Sequence, residues 1–591
     1  MARRGLLVVV TILSIALVIS VAGFALLYIL VGREPSVPRR AMLQLRVGGS
    51  LSEVAPTDVV TYVRGVRTPT VRAIVDDLRK AAVDPRIQAV LLEPTGFDTP
   101  FWGKVQEIRE AVLAFRKSGK PVYAYLEYGD DKSYYLATAA DKVFLMPSTS
   151  LDLDGVATYE LFLRGTLDKI GAYPDLHHIG DYKTAINTFT EKGYTPAQKE
   201  MDESLNRDLY DQLVRGIADG RRKPESAIRE LIDQGPFLPE DALRAGLVDD
   251  VAYEDQVEDR LRAARPDLSR SRVSGDDYTQ VSLSSVGLDG GPRIAVIYAA
   301  GTINSGRSGY DPVNGPIVGS DTLIDYIRQA RRDSSVRAIV VRIDSPGGSA
   351  TASDAIWREL MIARDERKNR PIVASMSDLA ASGGYYIALP AEFIVAQPST
   401  LTGSIGIFGG KVVTGGTYQK LGANVQSTSV GRHAEIDSPV RPYTPEELQK
   451  LQEQLQSFYD QFVEKVANSR HSTPEKIDQL AQGRVWTGRQ AKDNGLVDEL
   501  GGLDAAIAAA KERAKIPADS GVSIVVYPPR RSFYELLTSE LSGGDNGSAV
   551  DAWLSVNLTA PERQALRALR SPLTMFHPGE PLALMPFSYL R

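Results

Sequence analysis

The chain repeats itself, and the repeat limits what it can fold into more than any other feature. "AAVDPRIQAVLLEP" (81–94) returns as "ARRDSSVRAIVVRI" (330–343). "KPVYAYLEYGDDKSYYLATAADKVFLMPST" (120–149) returns as "RPIVASMSDLAASGGYYIALPAEFIVAQPST" (370–400). "GTLDKIGAYPDLHHIGDYK" (165–183) returns as "GTYQKLGANVQSTSVGRHA" (416–434), and "RAGLVDD" (244–250) as "DNGLVDE" (493–499). Four matches in one order mean two homologous domains. We place them at 41–290 and 291–527, meeting in the polar stretch "SRSRVSGDDYTQVSLSSVGLDGG" (269–291).

Within each copy, short β-branched runs alternate with helical patterns. "RAIVVRI" (337–343) and "PIVASMS" (371–377) read as buried strands, and "SATASDAIWRELMIARDE" (349–366) as an amphipathic helix. That alternation predicts an α/β fold with parallel strands and crossover helices. Insertions at 186–235 and 438–480 read as amphipathic helices, "TPEELQKLQEQLQSFYDQFVEKVANS" (444–469) among them. They are expected to be arms outside the core and places for subunit contacts.

The N-terminus differs in kind. Arg3 and Arg4 precede an uncharged run from Leu6 to Val31, longer than the ~20 residues that cross a bilayer. It also exceeds the roughly 7–15 apolar residues of a signal peptide, and no A-x-A cleavage site follows. Residues 1–32 are therefore predicted to be an uncleaved single-pass anchor touching membrane lipid, with 33–40 as a linker. The arginine-bearing end stays inside and the two domains lie outside the cytoplasm. Residues 528–591 fall beyond the repeat, read as helix and loop, and receive no function.

Composition narrows the chemistry. A net charge of -6 leaves no basic footprint, so nucleic acid is not an expected partner. The chain has no cysteine, which excludes disulfides, thiolate metal sites and cysteine nucleophiles. It contains no H-E-x-x-H, and neither a metal nor a cofactor is expected.

The repeat then locates candidate residues. Tyr385 and Tyr134, Pro398 and Pro147, and Gly416 and Gly165 all pair at an offset of 251. At that offset Ser382 of "AASGGYY" faces Asp131, Gly383 faces Lys132, and Lys183 of "GDYKTA" faces Ala434. "DSPGGSA" (344–350) meets "PTGFDTP" (94–100), which has no glycine pair. Each half carries what the other lacks, as one active site shared by two domains would leave behind.

A serine hydroxyl needs a neighbour to take its proton. His177, His178, His433, His471 and His577 sit in no glycine-flanked motif, and read as packed or solvated imidazoles. Lysine can serve instead if it is neutral. It ordinarily titrates near 10.4, so neutrality at pH 7 requires about 4 kcal/mol from burial and a nearby helix N-terminus. A lysine in a loop is usually a solvated one, but the one-sided repeat sets Lys183 apart. The "SPGGS" turn (345–349) and the amide of Gly383 can hold an oxyanion, and Ser404 of "TLTGSIGIFGG" (400–410) can orient the amine. The glycines have a plainer reading as close backbone packing.

"VRIDSPGGSATASD", "SMSDLAASGGYYIA", "PSTLTGSIGIFG" and "GDYKTA" together closely resemble the long, two-domain members of serine peptidase family S49, the signal peptide peptidases. The resemblance runs from about 41 to 527. It implies tandem spiral domains like those of the caseinolytic protease and the crotonases, with no cofactor. It implies Ser382 as nucleophile, Lys183 as general base, Ser404 as the lysine's assistant, and Gly348 with Gly383 as oxyanion donors. It further implies a homotetramer on the bacterial inner membrane, facing the periplasm, that degrades released signal peptides and other apolar peptides. Two other classes stay open. A crotonase-type acyl-CoA enzyme would use the same glycine turns, and a non-catalytic envelope scaffold would need a decayed site.

Overall fold

The computed structural model describes residues 35–54, 70–311, 315–529, 576, 579–586 and 589–590. The predicted anchor lies outside the described residues, as does most of the 528–591 extension. Among the described residues no helix is long and apolar enough to cross a membrane.

The duplication is visible strand by strand. In the first half, parallel Ala41–Gly49 lies between Arg272–Ser274 and Ile87–Phe97, followed by Val122–Leu126, Lys142–Leu145 and Asp250–Val251. In the second, Arg293–Ala300 lies between Ser523–Tyr527 and Val336–Ser345, followed by Ile372–Ala381, Phe393–Ala396 and Glu499–Leu500. The central strands are apolar on both faces, Val122–Leu126 being wholly buried, because helices cover both sides of a parallel sheet. Even a polar contact is duplicated. The Tyr134 hydroxyl donates to the Leu247 carbonyl at 2.6 Å, and Tyr385 to Leu496 at 2.8 Å.

The insertions are not arms. Helix Pro196–Arg221 buries Met201, Leu205, Leu209, Leu213 and Ile217 in the first core. Helix Pro445–Ser469 buries Leu451, Leu455, Phe462 and Val466 in the second, where the Phe462 ring lies 4.8 Å from that of Tyr386. An amphipathic pattern shows that one face is covered without saying by what. Here the cover is the chain's own two cores.

Two of the contacts that join the halves bear on the site. Tyr173–Ile179 of the first pairs antiparallel with Ile407–Val413 of the second. The sheet they share runs Gly309–Asp311, Gly315–Gly319, Thr302–Asn304, Gly347–Ser349, Leu582–Leu584, Ile407–Val413, Tyr173–Ile179. Residues 582–584 are thus a strand, not the helix or loop expected of the tail.

The second contact is a buried ion cluster. The Arg342 guanidinium, 1% exposed, bonds Glu53 at 2.9 Å, Glu107 at 2.6 Å, and Ser375 and Ser377 at 3.0 Å each. Beside it the Lys104 ammonium meets Asp344 at 2.7 Å and Asp378 at 3.3 Å. Glu107 and Lys104 lie on helix Gly103–Arg116 of the first half. Their partners lie on the two strands of the second half that run toward "SPGGS" and Ser382.

Candidate active site

Ser382 sits where strand Ile372–Ala381 turns into helix Gly383–Ala388, with φ 54 and ψ -113. A non-glycine residue at positive φ persists only when its surroundings hold it there. Its N–H donates to the Gly403 carbonyl at 2.8 Å, and its carbonyl accepts from Tyr386 N–H at 2.9 Å. The glycines that follow are a packing requirement. A Cβ on Gly383 would come within 2.6 Å of Ser353 Oγ, and one on Gly384 within 2.7 Å of the Ser345 carbonyl.

Lys183 arrives from the other half, just before the short turn Thr184–Ile186. Its Nζ lies 2.8 Å from Ser382 Oγ, 3.0 Å from Ser404 Oγ and 3.1 Å from the Ser404 carbonyl. All three residues are fully buried. Burial holds the Lys183 amine well below the ordinary lysine range. Ser404 reaches it because Leu401–Gly403 pairs in parallel with the end of the serine strand, bringing both serines to one end of the sheet.

Gly348 lies on strand Gly347–Ser349, next to the start of the serine helix. A Cβ on Gly347 would fall 2.7 Å from the Gly383 nitrogen. The residues named from the sequence — Ser382, Lys183, Ser404, Gly348 and Gly383 — are therefore gathered at one place. Their repeat counterparts are not. The Asp131 carboxylate accepts from Gly155 N–H at 3.3 Å and is pushed up to about 8 by burial, while Ala434 lies in an exposed turn. His177 is held by Asp175 at 2.9 Å, and His178 lies 2.8 Å from the Gly180 carbonyl. No described histidine bonds Ser382.

Two residues of the lysine's seat escaped the sequence reading. A Cβ on Gly483, at φ 81, would stand 2.4 Å from Lys183 N and 2.5 Å from its Cα. One on Gly406 would stand 3.1 Å from Lys183 Cδ. Gly406 follows Ser404 within "TGSIG", and Gly483 lies in "AQGRVW", where nothing local marks its partner. Gly483→Ala must displace the lysine backbone. It is expected to lower kcat/KM by about 100-fold, as misplacing a reacting group by about 1 Å does. Thermal melting would show whether the fold survives, and unchanged activity would mean that the lysine seat is not set by this contact.

The family model described as Peptidase family S49 matches residues 114–266 and 364–517, one region in each half. The serine protease SPPA, chloroplastic, of Arabidopsis thaliana is 38% identical over 451 residues, covering 76% of this chain and 66% of that protein. Protease 4 of Salmonella typhi is 38% identical over 455 residues, covering 75% of this chain and 72% of that one. A solved membrane-bound stomatin-specific protease is 16% identical over 40% of this chain and 98% of its own, with a TM-score of 0.25. That overlap carries no argument about the fold, which rests on the strand order above.

Proposed function

This chain belongs to peptidase family S49 and is a serine protease; we propose that it cleaves peptide bonds through a dyad of Ser382 and Lys183. The observation that carries this reading is the 2.8 Å contact between Lys183 Nζ and Ser382 Oγ, both side chains being fully buried.

A neutral amine has two N–H donors and one lone pair. The carbonyl and hydroxyl oxygens of Ser404 accept the two N–H groups, which leaves the lone pair for the Ser382 hydroxyl. As Ser382 Oγ attacks the substrate carbonyl, its proton passes to Lys183. The amides of Gly348 and Gly383 hold the oxyanion. The proton then goes to the leaving amine as the C–N bond breaks, and water releases the acyl group by the same route. The cycle uses no cofactor.

The substrate is an extended apolar peptide, released signal peptides included. Leu176, Ala185, Ile186, Phe189 and Phe408 form an apolar wall beside the dyad. A cavity of about 600 Å³ adjoins it, sharing Leu176 and Ile186 and lined on its far side by polar groups such as Gln449, Gln452 and Glu453. The 1–32 anchor keeps the domains against the outer face of the bacterial inner membrane, close to such peptides.

The working form is a homotetramer joined head to tail, and the repeat supports this assembly. Strand Tyr173–Ile179 finds its partner in the other half. Its counterpart in the second half, 424–430, pairs with no strand, with Val425 53% and Val430 99% exposed. The same pairing made with a second copy would cover it.

A serine-directed acylating probe is expected to label Ser382, and Ser382→Ala to abolish both label and peptide hydrolysis. Hydrolysis that survives in folded Ser382→Ala would sink the reading. Ser404→Ala is expected to lower kcat about 10- to 100-fold, part of what proton transfer contributes, with KM little changed. Activity in the intact chain falls as pH drops through the lowered Lys183 pKa, because the protonated amine has no lone pair.

A further inference from the structure

The tail lies where a substrate would lie. Strand Leu582–Leu584 fills the gap between Gly347–Ser349 and Ile407–Val413. Without it the shared sheet has a slot one strand wide, edged by the oxyanion glycines on one side and by the strand after Ser404 on the other.

Its register is substrate-like. Gly347, Gly348 and Ser349 face Leu584, Ala583 and Leu582, antiparallel. Met585 N–H donates to the Pro346 carbonyl at 2.9 Å and Ala350 N–H to the Pro581 carbonyl at 3.2 Å. Bonded and non-bonded pairs alternate along an antiparallel ladder, so the bonded pair between these two is Gly348 with Ala583. The Ala583 carbonyl therefore takes the Gly348 amide assigned above to the oxyanion. The same oxygen stands 2.1 Å from where a Cβ on Gly347 would be and 3.1 Å from one on Gly383, so the tail lies directly against both glycines.

Side chains follow the period of two. Leu582 and Leu584 enter the apolar wall with Leu176, Ile186 and Phe408, while Ala583, fully buried, packs into the second core. Ser349 Oγ donates to the Glu580 carboxylate and fixes the tail's entry.

We propose that residues 580–586 are a built-in occupant of the substrate cleft, bound in substrate register with the Ala583–Leu584 bond presented to Ser382. This rests on the dyad reading and adds regulation to it. A peptide enters only when the tail leaves, and the preferred peptide has a small residue at the Ala583 position between two aliphatic ones. A tethered occupant acts at an effective concentration near ~1 mM, so the intact chain is restrained until the tail is displaced or cut.

The test compares four full-chain or near-full-chain proteins on one fluorogenic leucine- and alanine-rich peptide. They are the intact chain, a chain ending at Gly579, full-length Ala583→Trp, whose side chain cannot occupy that buried position, and Ser382→Ala. Removing or expelling the tail is expected to lower KM by about tenfold or more. The synthetic peptide EPLALMP should then inhibit the shortened chain competitively. Intact-mass analysis that finds a break after Ala583 in the active chain, absent from Ser382→Ala, supports the register. If the shortened chain and Ala583→Trp are folded and active with KM unchanged, and EPLALMP does not inhibit, the inference is overturned. It is equally overturned if both are folded but inactive, since the tail would then be part of the working site. Turnover by Ser382→Ala would instead overturn the dyad reading, so the two failures are told apart.

Discussion

Lys183→Met is expected to lower kcat by at least about 10³-fold, the scale on which a nucleophile deprived of its base fails, while making the protein harder to melt at neutral pH. The second half follows from linkage. In the unfolded chain this lysine binds a proton up to its ordinary range near 10.4, whereas in the folded chain burial has lowered its pKa. Between the lowered folded value and the ordinary range folding therefore expels a proton, and stability rises with pH wherever the unfolded state holds more protons. The deficit grows as pH falls from the ordinary lysine range and levels off below the lowered folded value. Methionine fills similar space without that proton. The gain in Tm should be present at pH 7 and shrink as pH approaches 10. A variant that keeps its turnover would refute the lysine's role, and one that melts earlier at every pH would refute the account of its burial.

Arg342→Leu is expected to be the most damaging substitution far from the nucleophile. It leaves Glu53 and Glu107 buried without their shared cation, and breaking a buried ion pair by removing one partner costs about 3–5 kcal/mol. Because Glu107 and Arg342 belong to different halves, the loss also weakens the contact that holds the lysine side of the site to the serine side. Denaturant unfolding would show the lower midpoint. A change below about 1 kcal/mol would mean that the cluster is solvated in solution. Replacing all three residues by apolar ones of similar volume should recover much of the loss, since charge left unpaired is the damage.

The parts of this molecule that are local or repeated could be read from its residues. "RAIVVRI" and "PIVASMS" carry the pattern of covered strands; the first lies within Val336–Ser345 and the second, after its proline, within Ile372–Ala381. The pairing of Lys183 with Ser382 was legible for a rarer reason. Each residue lacks a counterpart in the other copy, so the repeat works as an internal comparison. What escaped depends on contacts with no period. Glu107 is an ordinary helix residue until Arg342 arrives 235 positions later. Gly483 matters only because a distant backbone lies against it. The tail strand escaped because three residues, Leu582–Leu584, are too few to show alternation, and their partner strand belongs to the site itself.

The distance along the chain between Lys183 and Ser382, 199 positions, is also a delay. At 5–20 residues per second, the serine leaves the ribosome about 10–40 s after the lysine. Throughout that interval the emerging polypeptide is a partly folded substrate for any protease nearby, yet its own proposed nucleophile has not been made. If Lys183 is its base as proposed, Ser382 stays inert until strand Ile407–Val413 docks on Tyr173–Ile179 and brings the amine to it. Residues 580–586 are synthesised almost last. On the proposed dyad, the newborn protein thus acquires cutting power only after its vulnerable stage has passed, a safeguard set by the order of residues along the chain.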